Sequence, residues 1–408
     1  MVCNNRINQL GLKPEKIKEL NVAGAIRECI EFLATKETLQ LKEQKMKSKY
    51  KIIFELIPHV DELLHNVLVE IHLKDVEKTI KSHSYPSPCK YKEAWQILIQ
   101  QHLDAGKIHP SSSPCASPAF IVPKANPNVL PCWVNDFQQL NENTITDSHP
   151  LPRIDDILND CAKGKIWATI DMTNSFFQTR MNPDHVHLMA VNTPLGLYEW
   201  LVMPMGLKNA PAIHQRCVTA TLRLLIGKFC HIYLNGIVIW SDTIEEHEHN
   251  VCTVLQALCY ARLYINPDKT HLFCTEIDFL GHHISARGIE ADTNKVKRIL
   301  SWPELKTATA VHSFLGLVWY VAAFLPALAE HTGVLTELTM KDSEKNFPPW
   351  TPKFQSAFDA IKAIATGREC LTTIDFAKMP TYKIFVTMDA SDKQSGGVLS
   401  FGPTWETA

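Results

Sequence analysis

Residues 227–241, GKFCHIYLNGIVIWS, constrain the fold of this chain more than any other stretch. Two short apolar runs, Ile232–Leu234 and Ile237–Trp240, flank the dipeptide formed by Asn235 and Gly236. Asn-Gly between β-formers is a strong hairpin signal, because both residues of the favoured turn must tolerate positive φ. The sequence therefore predicts a tight hairpin that turns at Asn235 and Gly236 and is buried on both faces.

Two further stretches precede this hairpin. The first, KIWATID, spans Lys165–Asp171 and has the composition of a strand that ends in a carboxylate; MTNSFFQ follows it at Met172–Gln178. The second, GLYEWLVMPMGLKNAPA, spans Gly196–Ala212 and predicts a strand, a loop and the start of a helix. Each stretch alone is typical of ordinary strands and helices, so their order along the chain is the informative feature.

This ordered set closely resembles the reverse transcriptases of LTR retrotransposons of the Ty3/gypsy type. In that family the hairpin has the sequence Tyr-x-Asp-Asp, and its two turn carboxylates join the earlier strand-end Asp in holding two divalent metals. Here the hairpin is Tyr233-Leu234-Asn235-Gly236. The resemblance thus implies that Asp171 keeps a metal-ligand position, whereas Asn235 and Gly236 replace the other two carboxylates.

The same resemblance implies roles for several other residues. Phe176 occupies the aromatic position that stacks under the nucleotide sugar, although it could equally belong to a plain apolar core with Phe177. Lys124 could supply one cation to the triphosphate, and Met203–Ala212 with Gln215 is similar to the segment that holds the template and the new base pair. The remaining implied contacts are Met205 for the nucleotide, Leu280 and Gly281 for the primer grip, and Asp389 for an RNase H site.

The stretch from Cys132 to Asn141, CWVNDFQQLN, departs from the family pattern at two positions. Cys132 and Gln138 stand where the family has Arg. The first of these arginines lies against the incoming triphosphate in the family, and a guanidinium can spread developing charge in a way that no thiol can. A second aid to catalysis is therefore doubtful in this chain.

Nucleotide transfer requires two Mg²⁺ ions about 4 Å apart. Mg²⁺ demands oxygen ligands in near-octahedral geometry, and carboxylates supply both the lone pairs and the compensating charge. Asn235 offers one neutral oxygen, and Gly236 offers no side chain. We therefore expect Mg²⁺ or Mn²⁺ to bind weakly and metal-dependent polymerisation to be impaired by several orders of magnitude.

No other carboxylate is an evident substitute. Asp242 lies six residues past the turn. In an extended strand this places it roughly 20 Å away, at about 3.3 Å per residue. Asp136 and Asp184 belong to other predicted elements, and nothing in the sequence directs them to the turn.

Composition limits the class of protein. The chain has 408 residues, of which 45% are apolar and 21% charged, and its net charge is −2. It is long enough for two or three folded domains, but it lacks the basic excess typical of nucleic-acid binders. Its 12 cysteines include no C-x-x-C pair. With no long apolar run and no signal pattern at the N-terminus, we expect an intracellular protein of the cytoplasm or nucleus, with free thiols and no membrane partner.

The predicted fold class is α+β, with the right-hand polymerase arrangement of fingers, palm and thumb followed by an RNase H-like fragment. Strands are expected at Val186–Val191 and Tyr198–Met203, and a helix at Val311–Leu328. The chain ends before the remaining acidic residues of an RNase H could follow. The predicted segments are 1–64 (helical, of unknown role), 65–155 (fingers), 156–290 (palm), 291–380 (thumb or connection) and 381–408 (truncated RNase H-like fragment).

Several functions remain open at this stage. The expected partners, by family, are an RNA template, a DNA primer and deoxynucleoside triphosphates; the oligomeric state is not predicted. The first reading is a reverse transcriptase-like protein with an impaired site. The alternatives are a noncatalytic nucleic-acid binder, a polymerase that uses Asp171 and Asn235 with Mn²⁺, and a genomic relic without function.

Overall fold

The computed structural model describes residues 22–63, 67–126, 129–325, 328–340, 343, 346–366, 381–390 and 395–405. The chain divides into two compact units, residues 1–49 and 50–408. In the first unit, helix α1 spans Val22–Lys49, which confirms the helical prediction for that part of the N-terminal segment. The rest of the segment predicted before Val22 lies outside the described residues.

Within the described ranges, the other helices and the strands belong to the second unit. Its α-helices are α2 (Lys92–Asp104), α3 (Gln138–Asn143), α4 (Ile154–Cys161), α5 (Ala210–Leu222), α6 (Ile244–Tyr260), α7 (Thr293–Leu300), α8 (Ala308–Tyr320), α9 (Leu328–Thr336) and α10 (Pro352–Thr366). Its first strands are β1 (Leu68–Val69), β2 (Ile108–Pro110), β3 (Ser117–Val122), β4 (Cys132–Asn135), β5 (Ile166–Asp171), β6 (Arg180–Met181), β7 (Ala190–Thr193) and β8 (Gly196–Trp200). The remaining strands are β9 (Cys230–Tyr233), β10 (Gly236–Ser241), β11 (His271–Cys274), β12 (Glu276–Phe279), β13 (His282–Ser285), β14 (Gly288–Ala291), β15 (Lys383–Ala390) and β16 (Ser395–Gly402).

A five-stranded sheet has the order β2-β8-β7-β3-β4. Its strands β2, β3 and β4 come from the predicted fingers segment, whereas β7 and β8 come from the segment predicted as palm. Strands β3 and β7 run parallel, and the other neighbours are antiparallel. Helix α2 buries Trp95, Leu98 and Ile99, of which Trp95 and Ile99 belong to the apolar core of this region. The helix stops before Gly106, whose φ is +65° and whose missing side chain leaves room for the His59 ring, 2.3 Å from the position of an added Cβ. Only glycine fits there.

The sheet at the centre of the predicted palm has the order β11-β5-β10-β9, with antiparallel neighbours throughout. Strand β10 pairs with β5 from Gly236 opposite Asp171 to Ser241 opposite Ile166. Residues 237–241 of β10 are buried on both faces, because α6 packs against the strand and Val238 and Trp240 belong to the core that α4, α7 and α8 share. This placement confirms the predicted hairpin and the burial of its second strand.

The predicted turn of this hairpin is wrong by one residue. Tyr233 pairs with Gly236, so the two turn residues are Leu234 and Asn235 rather than Asn235 and Gly236. Leu234 has φ of +53°, whereas Gly236 lies in the strand opposite Asp171. The cause is the register with β5: a shift by one residue would turn every buried side chain of β10 to the other face.

The strand expected at Val186–Val191 is also largely wrong. Residues Pro183–Met189 form a 3₁₀ helix, and strand β7 begins only at Ala190. The Asn182 side chain accepts a hydrogen bond from the Asp184 amide, and Pro183 fixes the first helical φ. A cap followed by proline at the first helical position favours a helical start over a strand.

A three-stranded sheet, β12-β13-β14, and helices α7 to α10 share a second apolar core. Phe314 of α8 and Phe358 of α10 meet in it with ring centroids 4.9 Å apart. The helix predicted at Val311–Leu328 ends at Tyr320, where Val321 begins a 3₁₀ turn. Within the described ranges, no helix combines the length and apolar character needed to cross a membrane.

Near the end of the chain, β15 and β16 form a hairpin that pairs residues from Lys383 opposite Gly402 to Ala390 opposite Ser395. These are the two strands expected in the predicted RNase H-like fragment. That fragment's truncation and the five segment boundaries stay predictions.

Candidate functional site

The candidate site lies at one edge of the four-stranded sheet, where β5 ends beside the β9–β10 hairpin. Asp171 is the last residue of β5 and pairs with Gly236, so the sheet register brings the predicted metal-ligand positions together. The Met172 amide donates a hydrogen bond of 2.9 Å to the Asn235 carbonyl. This bond fixes the turn against the chain that follows Asp171.

Two neighbouring residues of α5 support the hairpin from beneath. Gln215 is only 1% exposed, and its Oε1 accepts a hydrogen bond of 2.8 Å from the Leu234 amide. Its Nε2 donates to the Ile232 carbonyl at 3.2 Å. Both polar ends of Gln215, a nucleotide contact by resemblance, therefore hold the hairpin backbone.

His214, next to Gln215, is also buried. Burial lowers its pKa to about 4, and a hydrogen bond with the Leu234 backbone acts weakly in the opposite direction. Its ring meets the partly buried ring of Phe176 edge-on, with centroids 5.5 Å apart. Among the described residues, His214 Nε2 is one of two buried side-chain nitrogens without a hydrogen-bond partner.

The side-chain oxygen of Asn235 is already engaged. Ser175, which is 1% exposed, donates its hydroxyl to Asn235 Oδ1 at 2.6 Å. A carboxylate at this position would offer two oxygens and a full charge, whereas the amide offers one neutral oxygen that already accepts a hydrogen bond.

A lysine stands beside the retained carboxylate. Lys269 Nζ lies 3.6 Å from Asp171 Oδ2, and the lysine side chain is 69% exposed. The backbone here is well held: the Asn266 amide donates to the Asp171 carbonyl at 2.7 Å, and Thr270 Oγ1 accepts from the Asp171 amide at 3.3 Å. Because the ion pair is exposed, it contributes little to stability, but it places a positive charge at the strand end.

A groove of about 540 Å³ opens next to these residues. Its polar and apolar lining includes Asp171, Gly236, Asp268, Lys269, His271, Glu276, Asp278 and Phe279. Despite the number of acids, the described part of the chain contains no group of three or more His, Cys, Asp or Glu side chains arranged to hold a metal ion. At the hairpin edge itself the donor set is one carboxylate and one engaged amide oxygen, which does not fit a pair of divalent cations.

The three acids considered as substitutes lie elsewhere. Asp242 follows Ser241, which pairs with Ile166 at the opposite end of β5 from Asp171. Asp136 accepts a hydrogen bond of 2.7 Å from the Tyr85 hydroxyl. Asp184 is in the first turn of the 3₁₀ helix Pro183–Met189.

The predicted primer-grip residues form the two-residue turn between β12 and β13. Leu280 and Gly281 have φ of +47° and +69°. The Leu280 carbonyl accepts hydrogen bonds from the Tyr320 hydroxyl and from His282 Nδ1. Phe279, just before this turn, lies 3.2 Å from the position of a Cβ on Gly236, so the two hairpins adjoin.

The other two predicted nucleotide contacts are Lys124, in the predicted fingers, and Met205, in the predicted palm. Lys124 follows β3 two residues after Val122, which pairs with the exposed Cys132. Met205 is 57% exposed, and the next residue, Gly206, accepts a hydrogen bond of 2.8 Å from Asn141. No described contact joins Lys124 or Met205 to Asp171.

The loop after Met205 is held by a polar network that the sequence did not predict. Asn141 Oδ1 accepts a hydrogen bond from the Lys208 amide at 2.8 Å, and Lys208 Nζ reaches the Thr144 carbonyl at 3.1 Å. Asn209 Nδ2 donates to Ile145. The match of Asn141 to the family pattern was the one signal available; its partners are 65 or more residues away.

Asp389 lies on β15 opposite Gly396, far along the chain from the palm residues. Ser175, Lys269 and Tyr320 were not singled out from the sequence. Their contacts become visible only when separate elements meet in the fold.

Comparison with known proteins identifies the class. Residues 122–284 match the family model of the reverse transcriptase (RNA-dependent DNA polymerase). The fold is similar to that of the foamy viral protease-reverse transcriptase in complex with RNA/DNA hybrid, with a TM-score of 0.75, 22% identity, and coverage of 88% of this chain and 47% of that one. A second structure of that protein, in complex with double-stranded DNA, gives a TM-score of 0.76 at 21% identity and covers 88% of this chain and 61% of that one. Residues 122–284 thus form a reverse transcriptase domain, and the predicted polymerase fold is confirmed.

The relatives in sequence are polyproteins of transposons. The retrovirus-related Pol polyprotein from transposon opus of Drosophila melanogaster is 35% identical over 337 residues, which are 80% of this chain and 33% of the relative. The Pol polyprotein from transposon gypsy of the same organism is 30% identical over 350 residues, 82% of this chain and 33% of the relative. The Tf2-3 polyprotein of Schizosaccharomyces pombe is 30% identical over 331 residues, which are 81% of this chain and 24% of the relative. The homologues are therefore Pol polyproteins of gypsy-type transposons, and the chain spans between a quarter and a third of their length.

Proposed function

We propose that this chain is a reverse transcriptase-like protein of a Ty3/gypsy-type retrotransposon in which RNA-directed DNA synthesis is severely impaired. The observation that carries the proposal is the hairpin edge: Asp171 is the carboxylate that remains opposite Gly236, and the Asn235 oxygen is bound by Ser175. Two divalent cations there would have lost two of the three negative charges that the family supplies. Lys269, 3.6 Å from Asp171, adds a positive charge where a cation would bind.

The proposed partners are an RNA template, a DNA primer and deoxynucleoside triphosphates, with Mg²⁺ or Mn²⁺ bound weakly. Phe176 is the proposed contact for the nucleotide sugar, and its ring is partly buried beside His214. Lys124 and the exposed Met205 are the proposed nucleotide contacts, and the Leu280–Gly281 turn is the proposed primer grip. Gln215 acts through the hairpin backbone that it holds. An RNase H role for Asp389 and an intracellular location stay predictions.

Primer extension on an RNA template tests the impairment, first with Mg²⁺ and then with Mn²⁺. The natural chain is compared with the Asn235→Asp/Gly236→Asp double variant. We expect no measurable extension by the natural chain and clear extension by the double variant. The rate should rise by several orders of magnitude, because the two metal ions act as a unit. Extension by the natural chain at the rate of the double variant would refute the proposal.

Two controls make this comparison decisive. Adding Asp171→Asn to the double variant should abolish extension again, which ties the gain to the carboxylate set. Because a Cβ at Gly236 would meet the Phe279 ring at 3.2 Å, a second version of the double variant includes Phe279→Leu to give the new side chain room. If both versions stay silent although they are folded, loss at positions such as Cys132 and Gln138 would be the larger defect.

A second candidate function is noncatalytic binding of template-primer. The solved structures of similar fold contain an RNA/DNA hybrid or double-stranded DNA, which favours this candidate. The net charge of −2 weighs against it, because phosphate neutralisation supplies much of the affinity of such proteins. A labelled RNA–DNA hybrid should be bound with an affinity that falls as salt rises; an affinity that salt does not change would count against a backbone-contacting cleft. If the chain neither extends a primer nor binds the hybrid, the remaining interpretation is a genomic relic without function.

A further inference from the structure

Asn235–Gly236 is the one Asn-Gly dipeptide in the sequence, and it stands at the centre of the candidate site. An asparagine side chain followed by glycine is prone to an internal reaction, because the next backbone nitrogen can reach the side-chain amide carbon. Glycine has no Cβ to obstruct that approach. Asparagine is for this reason among the thermally labile residues of proteins.

The surroundings of Asn235 prepare both ends of the side-chain amide for this reaction. The Ser175 hydroxyl donates to Oδ1 at 2.6 Å, so it polarises the C=O bond and stabilises negative charge that develops on the oxygen. Within the part of the chain that the structure describes, no hydrogen bond holds the Asn235 NH₂ group, which is the leaving group. Asn235 is partly exposed, so water reaches it.

We propose that Asn235 is a site of spontaneous deamidation, with water as the co-reactant. The Gly236 backbone nitrogen loses its proton and attacks Asn235 Cγ. The new N–C bond closes a five-membered succinimide, and the Cγ–NH₂ bond breaks to release ammonia. Water then opens the ring at either carbonyl and leaves aspartate or isoaspartate at position 235. No electrons are transferred to or from an outside reagent.

The chain offers an internal comparison at Asn174–Ser175, its one Asn-Ser dipeptide. The side chain of Ser175 flanks its own backbone nitrogen, and this residue is 1% exposed. Asn174 is held with φ of +41° at the start of the 3₁₀ helix Ser175–Gln178. Asn174 itself is exposed, but the attacking nitrogen there belongs to the buried Ser175 and is flanked by a Cβ. At Asn235 the attacking nitrogen belongs to the partly exposed Gly236, which has no Cβ.

The consequence for the site rests on the proposed function. The aspartate product adds a second carboxylate near Asp171, because position 235 directly precedes Gly236, which pairs with Asp171 at the end of β5. The isoaspartate product also adds a carboxylate, but it lengthens the backbone of a two-residue turn by one methylene group. Age would therefore change the charge of the hairpin without any change in the gene.

The test follows the intact chain over time at physiological temperature, at neutral and at mildly alkaline pH. Samples are digested, and mass spectrometry with fragmentation that separates aspartate from isoaspartate follows the peptides that contain Asn235 and Asn174. We expect the Asn235 peptide to convert several-fold faster than the Asn174 peptide, and faster at higher pH because the attacking nitrogen must lose a proton. Conversion at Asn174 or elsewhere before Asn235 would overturn the proposal.

Matched variants identify the cause. Gly236→Ala, which adds only a Cβ, should slow conversion several-fold, and Ser175→Ala should slow it because the polarising donor is lost. Asn235→Asp provides the mass standard for one product. An unchanged rate in both Gly236→Ala and Ser175→Ala would refute the mechanism. These measurements do not depend on polymerase activity, so primer extension by aged and fresh protein then tests the proposed function separately.

Discussion

The two adjoining hairpins of the candidate site begin alike and differ at the second turn residue. Leu234 and Leu280 both have positive φ, +53° and +47°. In the β12–β13 hairpin the next residue, Gly281, also has positive φ, +69°, as in a type I′ turn. In the β9–β10 hairpin φ is positive at Leu234 alone, which is the pattern of a type II′ turn with leucine where glycine is usual. Its glycine stands one place later, in the strand.

The difference shows what determines the conformation of each turn. The β12–β13 turn agrees with its local sequence, because glycine occupies a turn position. In the β9–β10 hairpin, the six pairs between β10 and β5 and the burial of β10 fix the register, and the turn accepts a strained leucine. The result is that Asn235 and Gly236 face the end of β5 at Asp171. Long-range pairing has positioned the site at the expense of local preference.

Acid gives the largest expected effect, although burial lowers the pKa of a histidine at each hairpin, His214 at the first and His282 at the second. Burial lowers the pKa of His214, beneath the first hairpin, from 6.5 to about 4. Since the folded pKa lies below the unfolded one, the stability that His214 contributes is complete above pH 6.5 and is lost as the pH falls toward 4. His214→Phe should therefore gain about 2–3 kcal/mol over the natural chain near the acid end of this window, and little at neutral pH.

Urea unfolding at a series of pH values measures this effect. His102 and His247 also have pKa values lowered by burial to about 4, so the natural chain should lose stability in acid even beyond the share of His214. The exposed His249→Gln variant is the control for the loss of a histidine. If the free energy of unfolding falls equally with pH in the natural chain and in His214→Phe, the pKa of His214 is not lowered in the folded chain, and the prediction is wrong.

Glycine substitutions give the next largest contrast. Gly281→Ala forces alanine to φ of +69° and places its Cβ 2.4 Å from Lys295 Cε and 2.8 Å from the Tyr320 hydroxyl. We expect a loss of about 2 kcal/mol, since a side chain in the left-handed region alone costs about 1–2 kcal/mol. Gly236→Ala needs only a small movement of Phe279 and should cost less than about 1 kcal/mol.

Denaturant midpoints of the two variants, with Lys295→Ala added to each, separate strain from crowding. The added change should recover part of the loss at Gly281, because the lysine stem then no longer opposes the Cβ. It should recover nothing at Gly236. Equal losses at the two glycines would mean that the hairpins do not differ as described.

The sequence predicted much of this architecture because its signals were local. The apolar runs of the hairpin and the strand before Asp171 both depend on neighbours within a few residues. The turn register could not be predicted, because it depends on β5, more than 60 residues upstream of β10. The contacts of Ser175 with Asn235 and of Lys269 with Asp171 also depend on tertiary proximity. By contrast, Asn182-Pro183 was an available helical signal at the place where a strand was expected.

The smallest expected effect concerns the strained leucine itself. Asparagine tolerates the left-handed region better than leucine, so Leu234→Asn should stabilise the chain by about 0.5–1 kcal/mol. The amide of residue 234 would still donate to Gln215, and the register would remain fixed by β5. Leu280→Asn relieves the same φ, but Leu280 packs against the apolar core shared by α7 to α10, so its net effect should be a loss. Thermal and urea unfolding of both variants measure these two changes in stability. A loss at Leu234 as large as that at Leu280 would mean that packing, rather than backbone strain, determines leucine at both turns.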